Sequence, residues 1–373
     1  MKWPTDLISR NKTLIKKSFL WLLILIFALA IYSPYFLGGW KDREPAHMDN
    51  WNFFHYYLGA KYFNELGYFD FYQCAISAGK ELKVAGWNDE TIVRNLKNYD
   101  LTESRHLPPC PKEKFSAERW EEYKKDITLI LNYKAGPSAV GILDLVTDKG
   151  FNPLPFWTVL AGAVANFFPN TGPAFAFLMN LDFIVLIISI IFIWKSAGEP
   201  MARITATITL FYFGTFSSLG GQFLQYFWFL GLVWAIIAWR KDKPAVSGLL
   251  MGITTAIRSF PLFFALPIFI VTLFSIIRRK VEVKAFQFSL AFLIALTLCV
   301  GVGSLSDRGF GAWIEWQEKI GIHAKYLRGE IFNIGLPTFL STVLSPVKDT
   351  TTNYLQNFPN TINPPTKYPF FLL

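Results

Sequence analysis

An aspartate, two histidines and a lysine fall within AHMDNWNFFHYYLGAKYF, residues 46–63, together with seven aromatic rings. Two roles are open to Asp49. It stands just before a helical segment, where Asp is among the best N-cap residues. It is also a carboxylate able to take a proton from a hydroxyl as a general base, and capping does not exclude that. At about 100° per residue Asp49 shares a helix face with Phe53, Tyr56 and Ala60, whereas His55 and Lys61 each lie about 120° away. The HxDx5H spacing of His47, Asp49 and His55 is therefore a poor metal site. No cofactor is called for, and no spacing indicates a divalent metal.

Two further groups of residues carry charge where charge is costly. Arg258 lies in TTAIRSFPLFFALP, at the outer end of one apolar run, with Pro261 opening the next. A central arginine costs about 2.5–3.5 kcal/mol to insert, and less near an interface. Either it snorkels to the surface or it holds an anion such as phosphate, to which a guanidinium offers paired donors. The run WIEWQEKIGIHAKYLRGEIFNIGLP, residues 313–337, supplies His323, Lys325 and Arg328. These either sit in a solvated loop or join Arg258 around the anion. Asp182 is an acid inside an apolar run and bonds to backbone or to a polar neighbour; no chemical role is assigned to it.

The elements that must position these residues are read from composition. Of the 373 residues 52% are hydrophobic and only 17% charged, below the roughly 25% usual for soluble domains. Residues 18–40, 204–239 and 285–306 contain no Asp, Glu, Lys or Arg, and about 20 such residues cross a bilayer core. The expected class is an all-α polytopic membrane protein. The net charge of +9 needs no nucleic acid. Its basic residues cluster at 2–17, 195–203, 240–243 and 278–284, and placing all four clusters in the cytoplasm satisfies the positive-inside rule with one topology.

That topology starts with a cytoplasmic N-terminus, 1–17, and a first span at 18–38. A large external loop occupies 39–172. A bundle of about six helices at 174–305 has spans near 174–194, 203–220, 222–239, 244–258, 261–277 and 285–305. Residues 306–373 are external and end in KYPFFLL, the start of a further span, so the chain reads as an N-terminal portion of a longer protein. The proline-flanked stretch 154–168 must then lie at the interface rather than cross. The external loop is expected to fold short helices over the bundle: one at 50–67, a polar segment at 77–115, and a helix in FSAERWEEYKKDITLILNY capped by Ser116. Cys74 and Cys110 both fall outside, where a bridge is permitted, and are either bridged or two free thiols. Cys299 lies in a span. The missing GxxxxGK[ST] and HExxH argue against an ATP-driven pump and the commonest zinc proteases.

These features look like a GT-C superfamily glycosyltransferase. GLLMGITTAIRSFPLFFALPIFIVTLFSIIRRK is similar to the span pair of glycosyltransferase family 87, the bacterial mannosyltransferase-like group, in which a basic residue precedes a proline. NPLPFW fits the interfacial stretch of the superfamily. FHYYLGAKYFNELGYFDFYQC and FSAERWEEYKKD resemble a set of bacterial membrane proteins in that group. In most of the family the position of Arg258 is Lys, which keeps the charge and changes the geometry. The resemblance implies a multi-pass protein of the bacterial inner membrane, transferring sugar on its periplasmic face. The donor would be a polyprenyl-phosphate sugar and the acceptor a glycan, a lipid or a protein, with Asp49 as base and Arg258 on the donor phosphate. His55 and Lys61 are lesser candidates for phosphate or sugar contacts, His323 and Lys325 for the same phosphate, and the rings of 46–63 for stacking on a pyranose. Two rivals remain: a non-enzymatic transporter or flippase of lipid-linked glycans, and an O-antigen-ligase-like enzyme. A transporter needs polar residues through the depth of several spans, and here depth-central charge is nearly absent apart from Asp182 while the polar groups crowd at one face.

Overall fold

The structure, a computed structural model, describes Ser18 and residues 20–29, 48–132, 141–211 and 221–326. The first helix, α1 (Leu20–Leu29), is apolar. Beyond it Asp49 starts an almost continuous helical rod: α2 (Asn50–Asn52), one π-helical turn (Phe53–Leu58), α3 (Gly59–Lys61) and α4 (Phe63–Leu66). The π turn bonds i to i+5 and is wider than an α turn. A face count at 100° per residue therefore slips for everything after Leu58.

The region after α4 departs from an all-α class. Helix α5 (Phe71–Glu81) leads into a hairpin of β1 (Ile92–Arg94) and β2 (Leu101–Glu103), antiparallel with Val93 opposite Thr102. Three-residue strands are too short for a period-2 pattern to register in sequence. Cys74 of α5 is bridged to Cys110 beyond the hairpin. Helix α6 (Ala117–Asn132) follows, with the Ser116 hydroxyl accepting from the Arg119 N–H at 3.1 Å, as an N-cap should.

The proline-flanked stretch is helix α7 (Pro155–Phe167), opened by Pro155, whose missing N–H costs nothing at a helix start. Next come α8 (Gly172–Ala197), α9 (Glu199–Phe211), α10 (Phe227–Arg240), α11 (Pro244–Ile257), α12 (Leu262–Ile277), α13 (Val283–Gly303) and α14 (Gly311–Tyr326). Only α8 and α13 are long and apolar enough to cross a membrane among the described helices. The 14 residues of α10 and of α11 span about 21 Å at 1.5 Å each, short of a hydrocarbon core of about 30 Å. Ile184, Ile187 and Ile191 of α8, Leu273 and Ile277 of α12 and Leu293 and Leu298 of α13 are exposed. Water would penalise such bands and lipid would not.

Packing brings the helices together around small residues. Helix α11 lies against α13 because Gly248 and Gly252 carry no side chain there; a Cβ on either would meet the carbonyl oxygen of Phe288 or Phe292. Met251, Ala265, Phe288 and Phe292 form the core between α11, α12 and α13. Helix α7 rests on α3 and on α11 and α13. It thereby joins the aromatic rod to the ends of the bundle. The rings of the rod are largely core: Phe53, Phe54, Tyr57 and Tyr62 are fully buried, among Phe71, Tyr72, Phe151 and Phe175. This corrects the expectation that they present flat faces to a sugar; only Trp51 and Tyr56 keep some exposure. Residues 1–320 form one compact unit and 321–373 a second, of which only 321–326 is described.

Candidate active site

Six residues, 221–226, gather the candidate chemistry. They form no regular element, and Leu224 is held in the left-handed region at φ 54°. That conformation costs a non-glycine residue about 1–3 kcal/mol and persists only where surroundings fix it. Here they do. The Trp157 indole donates to the Leu224 carbonyl at 3.2 Å, and Phe223 N–H donates to the Asn52 side chain at 2.9 Å. Asp182 accepts from the N–H groups of Gln225 at 2.9 Å and Tyr226 at 2.8 Å. The buried acid of α8 thus satisfies N–H donors just before α10.

Asp49 is anchored to the first half of this segment. Its N–H donates to the Gly221 carbonyl at 3.2 Å. Oδ1 caps α2 by accepting from Asn52 N–H at 3.0 Å, and Oδ2 accepts from the Gln222 amide at 3.3 Å. The residue is 5% exposed. Burial pushes its carboxyl up to about 6, against the lowering pull of Asn52 N–H, the Gln222 amide and Trp51 N–H. Every one of these partners is neutral. A carboxylate so placed titrates close to neutral pH, where a general base works best.

Arg258 is anchored to the second half. It closes α11, its guanidinium donates to the Gln225 side-chain oxygen, and it lies over the Tyr56 ring at 5.6 Å. Asp182 is within its electrostatic reach. The structure therefore brings Asp49 and Arg258, 209 residues apart in the chain, onto one short segment, with Tyr56 of the π turn beside the arginine.

The lesser candidates fare differently. His55 is 1% exposed, with Nδ1 at 2.7 Å from the Trp51 carbonyl and Nε2 at 2.7 Å from the Tyr72 hydroxyl. A carbonyl only accepts, so the proton sits on Nδ1 and Nε2 accepts from Tyr72. Burial holds this imidazole below its usual range, although Asp148 at 4.0 Å opposes the shift. A neutral, fully bonded histidine has nothing to give a phosphate. Lys61 donates to Asp126 at 2.7 Å and to the Tyr57 hydroxyl at 3.1 Å, and pairs with Glu122 at 2.8 Å. Its three donors are thereby taken. Both residues are corrected from phosphate ligands to parts of the core. His323 lies on the last turn of α14. The side chain of Lys325, and Arg328 altogether, lie outside the described residues.

Gln222 and Gln225 went unread in sequence, though a signal was there. They are the only amide side chains in the charge-free run 204–239.

Residues 154–348, more than half of the chain, match glycosyltransferase family 87. The chain belongs to that family, and its activity is sugar transfer. No curated protein and no solved structure matches it. The matched stretch contains Asp182, Gln222, Gln225 and Arg258, while Asp49 precedes it.

Proposed function

We propose that this is a multi-pass, GT-C-like enzyme of the bacterial inner membrane that moves a sugar from a polyprenyl-phosphate donor to an acceptor on the periplasmic face. One observation carries the reading: a buried carboxylate with only neutral partners and an arginine meet on the same six residues. Asp49 takes the acceptor hydroxyl's proton as that oxygen attacks the anomeric carbon. The bond from that carbon to the phosphate oxygen breaks, and its electron pair leaves with the lipid phosphate. Arg258 meets the charge that develops there. A single displacement of this kind inverts the anomeric centre. The external assignment is supported by the Cys74–Cys110 bridge, since disulfides persist in oxidising compartments.

Two experiments test the reading. The protein in nanodiscs is offered undecaprenyl-phosphate mannose, glucose, galactose and arabinose, and separately the corresponding nucleotide sugars. Release of undecaprenyl phosphate from at least one lipid donor is expected, with no turnover of nucleotide sugars; the opposite pattern sinks the reading. For the topology, cysteines placed singly at Asn132 and Thr171 should both react with an impermeant thiol reagent added outside. Protection of one alone would mean that α7 crosses the membrane.

A further inference from the structure

We infer that Gln222 and Gln225 are positioning residues that hold the proton acceptor and the anion ligand at a fixed spacing, with Asp182 as the anchor of the segment that carries both. The inference rests on the proposed transfer reaction and goes beyond it by assigning work to three residues that touch no reacting atom. Its ground is the bonding pattern. Gln222 reaches the Asp49 Oδ2, the oxygen that the helix cap leaves over. Gln225 accepts from the Arg258 guanidinium through its side-chain oxygen, and its amide nitrogen is tied back to the Phe223 carbonyl at 3.0 Å, which fixes which end of the amide faces the arginine. Its own N–H and that of Tyr226 are held by the two oxygens of Asp182. Gln222 is 7% exposed and Asp182 is fully buried, so neither is shaped by solvent.

The chemistry of the partners also fits a positioning role. An amide is neutral, so it orients a carboxylate or a guanidinium without cancelling its charge. A lysine beside Asp49, or a carboxylate beside Arg258, would hold each in place and also neutralise it. The groups bonded directly to Asp49 and Arg258 are uncharged amides. Asp182, the carboxylate within electrostatic reach of the arginine, bonds through both oxygens to backbone N–H groups rather than to the guanidinium.

The two arms of the bracket predict separable defects. Gln222→Met keeps roughly the volume and removes the donor. With that hydrogen bond gone, the acid limb of donor turnover, expected in the wild type below about pH 6, should move up by about one pH unit, with donor KM unchanged. Gln225→Met should leave the acid limb in place and raise donor KM about 2- to 10-fold. Asp182→Asn, which replaces one acceptor oxygen by a donor, should move both readouts together. A purely structural role for the segment predicts instead that both glutamine variants lower yield and rate without moving the limb or KM selectively. The assay follows undecaprenyl phosphate release from whichever lipid donor the wild type turns over. An inactive Asp49→Asn with an unshifted limb in Gln222→Met overturns the bracket alone. An Asp49→Asn protein that turns over donor at the wild-type rate overturns the reaction and the bracket with it.

Discussion

Two charged sites share one helical rod, and they are built on opposite rules. At its start, Asp49 is held by backbone N–H groups and an amide, and Arg258 by an amide and a ring face. Twelve residues further along, Lys61 meets Asp126 and Glu122, while Arg119 meets Glu65 at 2.9 Å and Glu122 at 2.8 Å. In the second site each cation has a carboxylate. Burial would raise Glu122, but Lys61 and Arg119 outweigh it and hold the group below its usual range. Asp126 is more deeply enclosed, and burial keeps it raised even beside Lys61. Charges answered by charges fasten α6 to the rod, whereas Asp49 and Arg258 make their direct hydrogen bonds to neutral dipoles.

The largest expected effect separates the two sites by sign. Asp49→Asn keeps the cap, since Asn caps about as well as Asp, but cannot accept a proton. Transfer should fall by about 10²–10⁴-fold. Stability should move the other way. A carboxyl whose folded pKa stands near 6, above the 3.8 of an unperturbed Asp, is protonated in the fold before it is protonated in the unfolded chain. Stability is therefore lost as pH rises from about 4 to 6, and the cost stays constant above that, at about 3 kcal/mol. Thermal unfolding at pH 7.5 should show Asp49→Asn melting higher than the wild type. Full activity in Asp49→Asn, with the melting point no lower than the wild type's because Asn keeps the cap, would make Asp49 a cap and nothing else.

Lys61→Met should do the reverse. Removing the cation leaves Asp126 buried without a countercharge, a loss of about 3–5 kcal/mol, while replacing both partners by apolar residues is far milder. Lys61→Met should therefore melt well below the wild type and Lys61→Met/Asp126→Leu should recover most of the difference. The folded fraction of each should keep its donor affinity. A Lys61→Met protein that is stable but binds donor poorly would break the comparison and restore Lys61 to the phosphate.

How much of this was legible in the sequence follows from the range of the interactions. The apolar runs mark the helices because burial of a whole face is a property of 14 or more consecutive residues, and α8, α11, α12 and α13 fall where those runs lie. Ser116 was readable as a cap because its partner is three residues away. The pairing of Asp49 with Gln222 joins residues 173 apart, and no local pattern encodes it. His55 and Lys61 were misread for a related reason. Their types suggest reactivity, but Tyr72 and Asp126, which occupy them, come from other elements. The hairpin escaped because three residues carry too little alternation to stand out.

Arg258→Gln comes next in size. Losing a charge-assisted hydrogen bond to phosphate costs about 1.5–3 kcal/mol, or roughly 10- to 150-fold in donor affinity. Arg258→Lys should retain part of it, since the charge survives and the paired donors do not. Titration of the nanodisc protein with farnesyl phosphate reads this without knowing the sugar. Equal affinity in the wild type and Arg258→Gln would move the anion elsewhere and leave the arginine as a tether for Gln225.

The smallest effect tests whether the two sites are independent. Ser116→Ala removes the hydroxyl that accepts from Arg119 N–H, a loss of about 0.5–2 kcal/mol for an N-cap. The first turn of α6 should fray. Arg119 lies in that turn, with Glu122 and Asp126 one and two turns on, so the charge-paired site should loosen. Hydrogen exchange should speed up at the amides of residues 119–123, and the melting point should drop slightly. Donor turnover and its acid limb near pH 6 should not move, because Asp49 is held from residues 221–222 and not from α6. Sites without shared partners add to within about 0.5 kcal/mol, so the melting shifts of Ser116→Ala and Asp49→Asn should sum in the double variant. A shifted acid limb in Ser116→Ala, or a double variant far from that sum, would mean that the paired charges tune the unpaired one through the rod between them.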